Sequence, residues 1–109
     1  MNLLTDEIVK LFKRNPLYSH EGQKNPRILV KYFNPIGRGT WYVTEASLQE
    51  NGDYICFGLC HIYEAELGYF SLNELQSIKL PYGITIERDL HFKGRLSDAR
   101  KELEQLYDE

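Results

Sequence analysis

The chain is short of the features that name a function unaided. It holds only two cysteines, Cys56 and Cys60, in 109 residues. That count excludes a disulfide-stapled scaffold, and reduced thiols in a cytoplasm are the expectation. Four residues apart on a predicted strand, the two share a face at about 13 Å and cannot bond to each other. No close cysteine pair of the kind that holds structural zinc is present. Neither sign of charge forms a run, and the formal net charge is -3. Duplex DNA is therefore disfavoured as the main partner, because phosphate neutralisation needs a basic surface. No apolar run approaches the length of a membrane span. The opening residues turn acidic at Asp6 and Glu7 before any leader-like stretch forms. A cytoplasmic protein without membrane contact is the expectation.

Recognisable catalytic motifs are also missing. No GxSxG occurs, and no serine has a triad-like context. Gly37-Arg38-Gly39 is a lone GxG that leads into a predicted strand, whereas a phosphate-cradling loop leads into a helix. It reads as a turn with Arg38 exposed at its tip.

What is present is an ordinary globular balance, 42% hydrophobic and 27% charged, sized for one core. Thr5 can cap a first helix with Asp6 and Glu7 in its first turn and a stripe of Ile8, Leu11 and Phe12; Asn15-Pro16 ends it. Leu17–Pro26 is polar and reads as a mobile connection. Arg27–Phe33 and Thr40–Ala46 read as a hairpin across Asn34–Gly39. Tyr54–Ile62 follows the Glu50-Asn51-Gly52-Asp53 turn; it is apolar on both faces, which predicts a central strand. A short strand at Leu67–Phe70 runs into a helix with the capping box Ser71-Leu72-Asn73-Glu74. After Pro81-Tyr82-Gly83 comes a strand over Ile84–Phe92, then a last helix capped by Ser97, with Leu96, Ala99, Leu103 and Leu106 on one face. The order predicts a single α+β domain over 1–109. Its mainly antiparallel sheet has four to five strands and is flanked by an N-terminal, a capped internal and a C-terminal helix.

Alternation along Ile84–Phe92 sorts Ile84, Ile86, Arg88, Leu90 and Phe92 onto one face and Thr85, Glu87, Asp89 and His91 onto the other. An arginine in an apolar row needs a carboxylate. Glu45, placed by alternation on a face with Trp41 and Val43, is one candidate, and Glu66 is another. The Glu87, Asp89, His91 row has the chemistry for a divalent metal or an acid/base pair. The simpler reading is the solvated face of a strand, since nothing else in the chain completes a metal site. Eight tyrosines, several next to turns (Tyr18, Tyr54, Tyr63, Tyr69, Tyr82), read first as core rings with hydroxyls at the rim and second as a binding surface.

These segments resemble a known family. Lys31, Phe33-Asn34-Pro35, Gly37, Thr40–Glu45, Phe57-Gly58, Glu66–Leu72, Glu74-Leu75 and Ile86–Phe92 together resemble the domain of unknown function 2958, over about Pro26–Lys93. The resemblance implies a small bacterial protein of plasmids, phages and other mobile elements, and brings no reaction, cofactor or catalytic residue.

Three functions follow as expectations. The first is a non-enzymatic binding protein of a mobile element or phage that engages a host protein, an inhibitor of a defence system among the options. The second is a small-molecule or nucleotide binder, in which Arg38, Trp41, Tyr69 and Arg88 grip an anionic aromatic ligand beside Glu45 and Glu66. The third is a metal-dependent hydrolase using Glu87, Asp89 and His91. No cofactor is expected, and a homodimer built on a sheet edge is compatible with all three.

Overall fold

The computed structural model describes residues 2–107. The elements are α1 (Asp6–Arg14), β1 (Val30–Phe33), β2 (Thr40–Leu48), β3 (Tyr54–His61), β4 (Ala65–Ser71), α2 (Leu72–Ser77), β5 (Glu87–Arg88) and α3 (Leu96–Tyr107). The strands form one antiparallel sheet in the order β4-β3-β2-β1-β5. This is the expected α+β architecture. The central strand, however, is β2, with its first seven residues buried, while β3 lies inside the sheet one place over.

Helices cover both faces. Ile8 and Phe12 of α1 and Leu72 and Leu75 of α2 pack on Val30, Tyr32, Trp41, Val43, Ala46 and Cys56. On the other face Leu96, Ala99 and Leu103 of α3 pack on Ile28, Tyr42 and Leu59, with Phe92 against them. Burial pushes the Cys56 thiol up to about 12 and that of Cys60 up to about 11, so both stay protonated and packed as small apolar groups.

Capping follows the sequence at α1 and departs from it elsewhere. Thr5 Oγ1 accepts the Ile8 amide at 3.2 Å. Ser71 Oγ accepts the Glu74 amide at 3.2 Å, but Asp53, not Glu74, completes the cap. The Ser71 hydroxyl donates to Asp53 Oδ2 at 2.5 Å and the Asn73 amide to Oδ1 at 3.0 Å. Burial works against ionisation of Asp53, yet these bonds hold its carboxyl below the usual range. Ser97 is not the cap of α3. Its amide donates to Asn25 Oδ1 at 2.8 Å, and Asp98 Oδ2 accepts from the Arg95 amide at 2.8 Å. The predicted mobile connection thus ends by holding a helix start.

The strand predicted over Ile84–Phe92 pairs only at Glu87 and Arg88. Asp89 ends it, because its Oδ1 accepts the amides of His91 at 2.7 Å and Phe92 at 3.0 Å. That side-chain turn replaces the ladder and swings Phe92 to the α3 face, away from Ile86.

A bulge in β2 decides where Glu45 points. Val43 pairs with Gly58 and Glu45 with Phe57, so Thr44 is an extra residue. The insertion flips everything after it. Glu45 leaves the face of Trp41 and Val43 and joins that of Tyr42, while Ala46 turns in toward α1. Gly58 permits the bulge, since a Cβ there would lie 1.7 Å from the Tyr42 carbonyl oxygen.

Candidate partner-binding surface

The candidate residues fall in three places. Trp41 is buried in the α1 and α2 core, where its ring lies so close to Gly39 that a Cβ there would meet it at 2.8 Å. Arg38, at the β1–β2 turn, sits 5.5 Å from the Tyr107 ring centroid, and that ring stacks on the buried His61 at 4.3 Å. Arg38 therefore clamps the end of α3. Arg88 lies on β5, at the edge of the sheet opposite to β4, which carries Glu66 and Tyr69. Its Nη1 donates to the Asn2 carbonyl at 2.7 Å.

The expected ties from Arg88 to Glu45 or Glu66 do not form. Glu66 lies at the opposite edge with three strands in between, and the bulge puts Glu45 on the other face. For the same reason Arg38, Trp41, Tyr69 and Arg88 do not share a pocket.

The tie that joins distant segments is Lys31, whose side chain is only 8% exposed. Its Nζ lies 3.2 Å from Asp89 Oδ2 and 2.5 Å from Glu102 Oε1. The Tyr42 hydroxyl donates to the same Glu102 oxygen at 2.5 Å. Rings of Phe33, Tyr42 and Phe92 surround the ammonium at 5.6–5.8 Å from their centroids. Burial raises the Tyr42 hydroxyl pKa, and its bond to Glu102 adds to that. Burial works against the Asp89 charge, but the His91 amide and Lys31 outweigh it and hold the carboxyl below its usual value. So β1, β2, α3 and the turn after β5 meet at one charge network. The sequence carries a signal for it: Lys31 alternates with Leu29 and Phe33, the same pattern that drew attention to Arg88.

Asp89 is thus committed to Lys31 and to its own turn, not to a solvated row, while His91 is exposed. Among the described residues, no three His, Cys, Asp or Glu side chains are placed to hold a metal ion.

Two other candidates, Glu45 and Tyr69, do gather, with Phe57 between them. Glu45, Phe57 and Tyr69 form one row across β2, β3 and β4. Glu45 is buried, and its carboxylate accepts the amides of Tyr18 at 3.1 Å and His20 at 2.6 Å. Those bonds lay the 17–20 segment over the row as a strap, with Tyr18 at φ 71°. Leu17 N–H adds a bond to Ser47 Oγ at 2.9 Å, and His20 Nε2 lies 2.6 Å from Asn15 Oδ1. A hydrogen bond to Tyr18 raises the Tyr69 hydroxyl pKa. The Phe57 and Tyr69 rings lie 4.8 Å apart. Beside them Leu67 continues the face along β4. Tyr18 is 64% exposed, Tyr69 56% and Leu67 49%.

Among the described residues no helix covers the face here, and Glu66 projects from the same strand on the other side. A hydrogen bond with Glu64 raises its pKa, so two carboxyl groups sit together at this edge. Phe57 and Leu67 were not among the sequence candidates, and Tyr18 entered only as one of several tyrosines next to turns. Alternation places Leu67 with Tyr69, but nothing local brings Tyr18 across from the loop.

A family model described as protein of unknown function (DUF2958) matches residues 3–100 of the chain. The chain belongs to this family. The match takes in α1 and the first part of α3, beyond the Pro26–Lys93 stretch. No curated protein and no solved structure matches the chain. Among the described residues of this DUF2958 protein, no helix is long and apolar enough to cross a membrane.

Proposed function

We propose that this is a non-enzymatic interaction protein that binds a partner protein through the surface of Tyr18, Phe57, Leu67 and Tyr69. That row, with Tyr18, Leu67 and Tyr69 exposed and Phe57 half-buried, rooted on the sheet and held by the Glu45 strap, is the observation that carries the reading. Aromatic and aliphatic side chains presented from a rigid element suit an interface centre. Glu21 lies close enough to act on the Tyr69 hydroxyl, and Glu64 and Glu66 add negative charge at the strand edge, Glu66 from behind the sheet. An acidic rim fits a partner face with an apolar centre and a Lys or Arg border. The charged groups elsewhere favour binding over chemistry, since Lys31, Asp89, Glu102 and Glu45 are all engaged in holding segments together. In the mobile-element setting that the family resemblance implies, the partner would be a host protein, and a component of a defence system would fit.

A second reading, a small anionic ligand, draws on an open groove of about 1050 Å³ beside β5. Arg27, Arg88, Lys93 and Arg95 line it, but so do Asp6, Glu7, Asp89 and Asp98. Balanced charge makes this the lesser candidate.

The test is a photo-crosslinking residue placed at Tyr69 or, as control, at the exposed Tyr82, in cells that carry the protein naturally. The proposal expects one discrete adduct with a different protein from position 69, none from 82, and loss of that adduct with Tyr18→Lys. Equal labelling at both positions, or no heteromeric adduct from position 69, contradicts it.

A further inference from the structure

We infer that the β4 edge pairs with the β4 edge of a second copy, antiparallel about a two-fold axis at Gly68. The direction of the backbone groups carries the first step. Asn34 N–H donates to Gly39 O at 2.8 Å, and Asp89 N–H donates to Lys31 O at 2.9 Å. Tyr32 therefore turns its polar groups to β2, and Lys31 turns its own toward β5. Carried across the Tyr32–Trp41, Tyr42–Leu59 and Gly58–Gly68 pairs, the alternation points Glu66, Gly68 and Phe70 at β3. The N–H and C=O groups of Leu67 and Tyr69 then face outward from the sheet.

The sequence of the edge is self-complementary. Gly68 is the midpoint of Ala65–Ser71, so a two-fold axis there pairs the whole strand. Leu67 of one copy then lies opposite Tyr69 of the other, twice, as hydrogen-bonded pairs. Glu66 lies opposite Phe70, so no like charges oppose each other. The two Gly68 residues face each other across the axis, and a Cβ at that position meets nothing within 4 Å in one copy. The strand has neither Pro nor Lys and no bulge, and its one charged residue, Glu66, falls opposite Phe70. The other edge is guarded, because β5 stops after two residues at the Asp89 turn.

Side chains stand perpendicular to a sheet, so edge pairing leaves Tyr18, Leu67 and Tyr69 exposed. It joins the two patches into one face across the axis, and that composite face rests on the interaction reading above. A single strand pair buries less than a standard interface of about 1,600 Å², so the dimer is a weak, concentration-dependent one.

The test combines sedimentation with a crosslink on the intact chain. The native protein is expected to rise from the mass of one chain toward that of two as concentration increases. Gly68→Lys, which sets like charges across the axis without filling space in the monomer, is expected to stay at one. Gly68→Cys is expected to form an intermolecular disulfide under mild oxidation at least about tenfold faster than Glu104→Cys on α3, because pairing raises its effective concentration. The unsubstituted chain controls for Cys60. A native chain that stays monomeric, with Gly68→Cys no faster than the control, overturns the dimer. If the Tyr69 crosslink to a different protein survives that result, the interaction surface stands without the dimer. A dimer with no such adduct supports the pairing and removes the partner reading.

Discussion

Two halves of one sheet face meet at the Thr44 bulge, and they are finished in different ways. On the side of Tyr42, α3 closes the face, and a buried cation with two carboxylates stitches it down. On the side of Phe57, a buried carboxylate is satisfied by two backbone amides of a strap, and the aromatic row stays open. Both halves spend a buried charge, but only the first uses it to seal the core. A half-open face over rigid strands is where a partner gains the most apolar contact for the least reordering. The contrast separates groups that hold the fold from groups free to bind.

The largest expected effect removes the boundary between the halves. Gly58→Ala drives a Cβ into the Tyr42 carbonyl, which is backbone and cannot swing away. A loss of about 4 kcal/mol or more is expected, read by urea unfolding, with both halves disturbed. Next, Lys31→Met leaves Asp89 and Glu102 facing each other beside Tyr42. Because those carboxylates are partly exposed, about 2 kcal/mol is expected, less than for a fully buried pair. Glu45→Gln keeps the shape but offers one acceptor for two amides, so about 1 kcal/mol is expected. Its signature is local: faster hydrogen exchange at Tyr18 and His20, with α3 unchanged. If Lys31→Met loosened the strap as much as Glu45→Gln does, the two halves would not be separate.

The smallest effect is a pH dependence. The Asp89 carboxyl is held below its usual pKa, so the unfolded chain takes up its proton first as pH falls. Its contribution is full above the unfolded value near pH 4 and fades as pH drops through the lower folded value. Asp89→Asn is therefore expected to lower stability slightly at neutral pH and to flatten the acid limb. An acid limb unchanged by the substitution would mean that the Lys31 network does not set it.

Much of the fold was legible because its signals are local. Thr5, Ser71 and the turns at Gly52 and Gly83 mark element ends, and apolar, aromatic-rich runs between turns mark β1 to β4. The site was less legible because two local events break alternation. The Thr44 bulge moves Glu45 to the opposite face, and the Asp89 turn ends a strand that reads as nine residues long. Each depends on a partner distant in sequence or on side-chain capping that competes with the ladder. Arg88 thus stood out for a role that Lys31 fills. Tyr69, Glu45 and Glu66 were marked by type, but only the fold brings Tyr18 to them.

Amide hydrogen exchange along β4, followed as protein concentration rises, tests the central claim most directly. That claim is the proposed pairing of the β4 edge, beside the open half, with a second copy. Glu66, Gly68 and Phe70, bonded to β3, should exchange slowly at every concentration. Leu67 and Tyr69 should exchange fast in dilute solution and become protected as concentration increases. Fast exchange at Leu67 and Tyr69 at every concentration, or slow exchange already at high dilution, would contradict it.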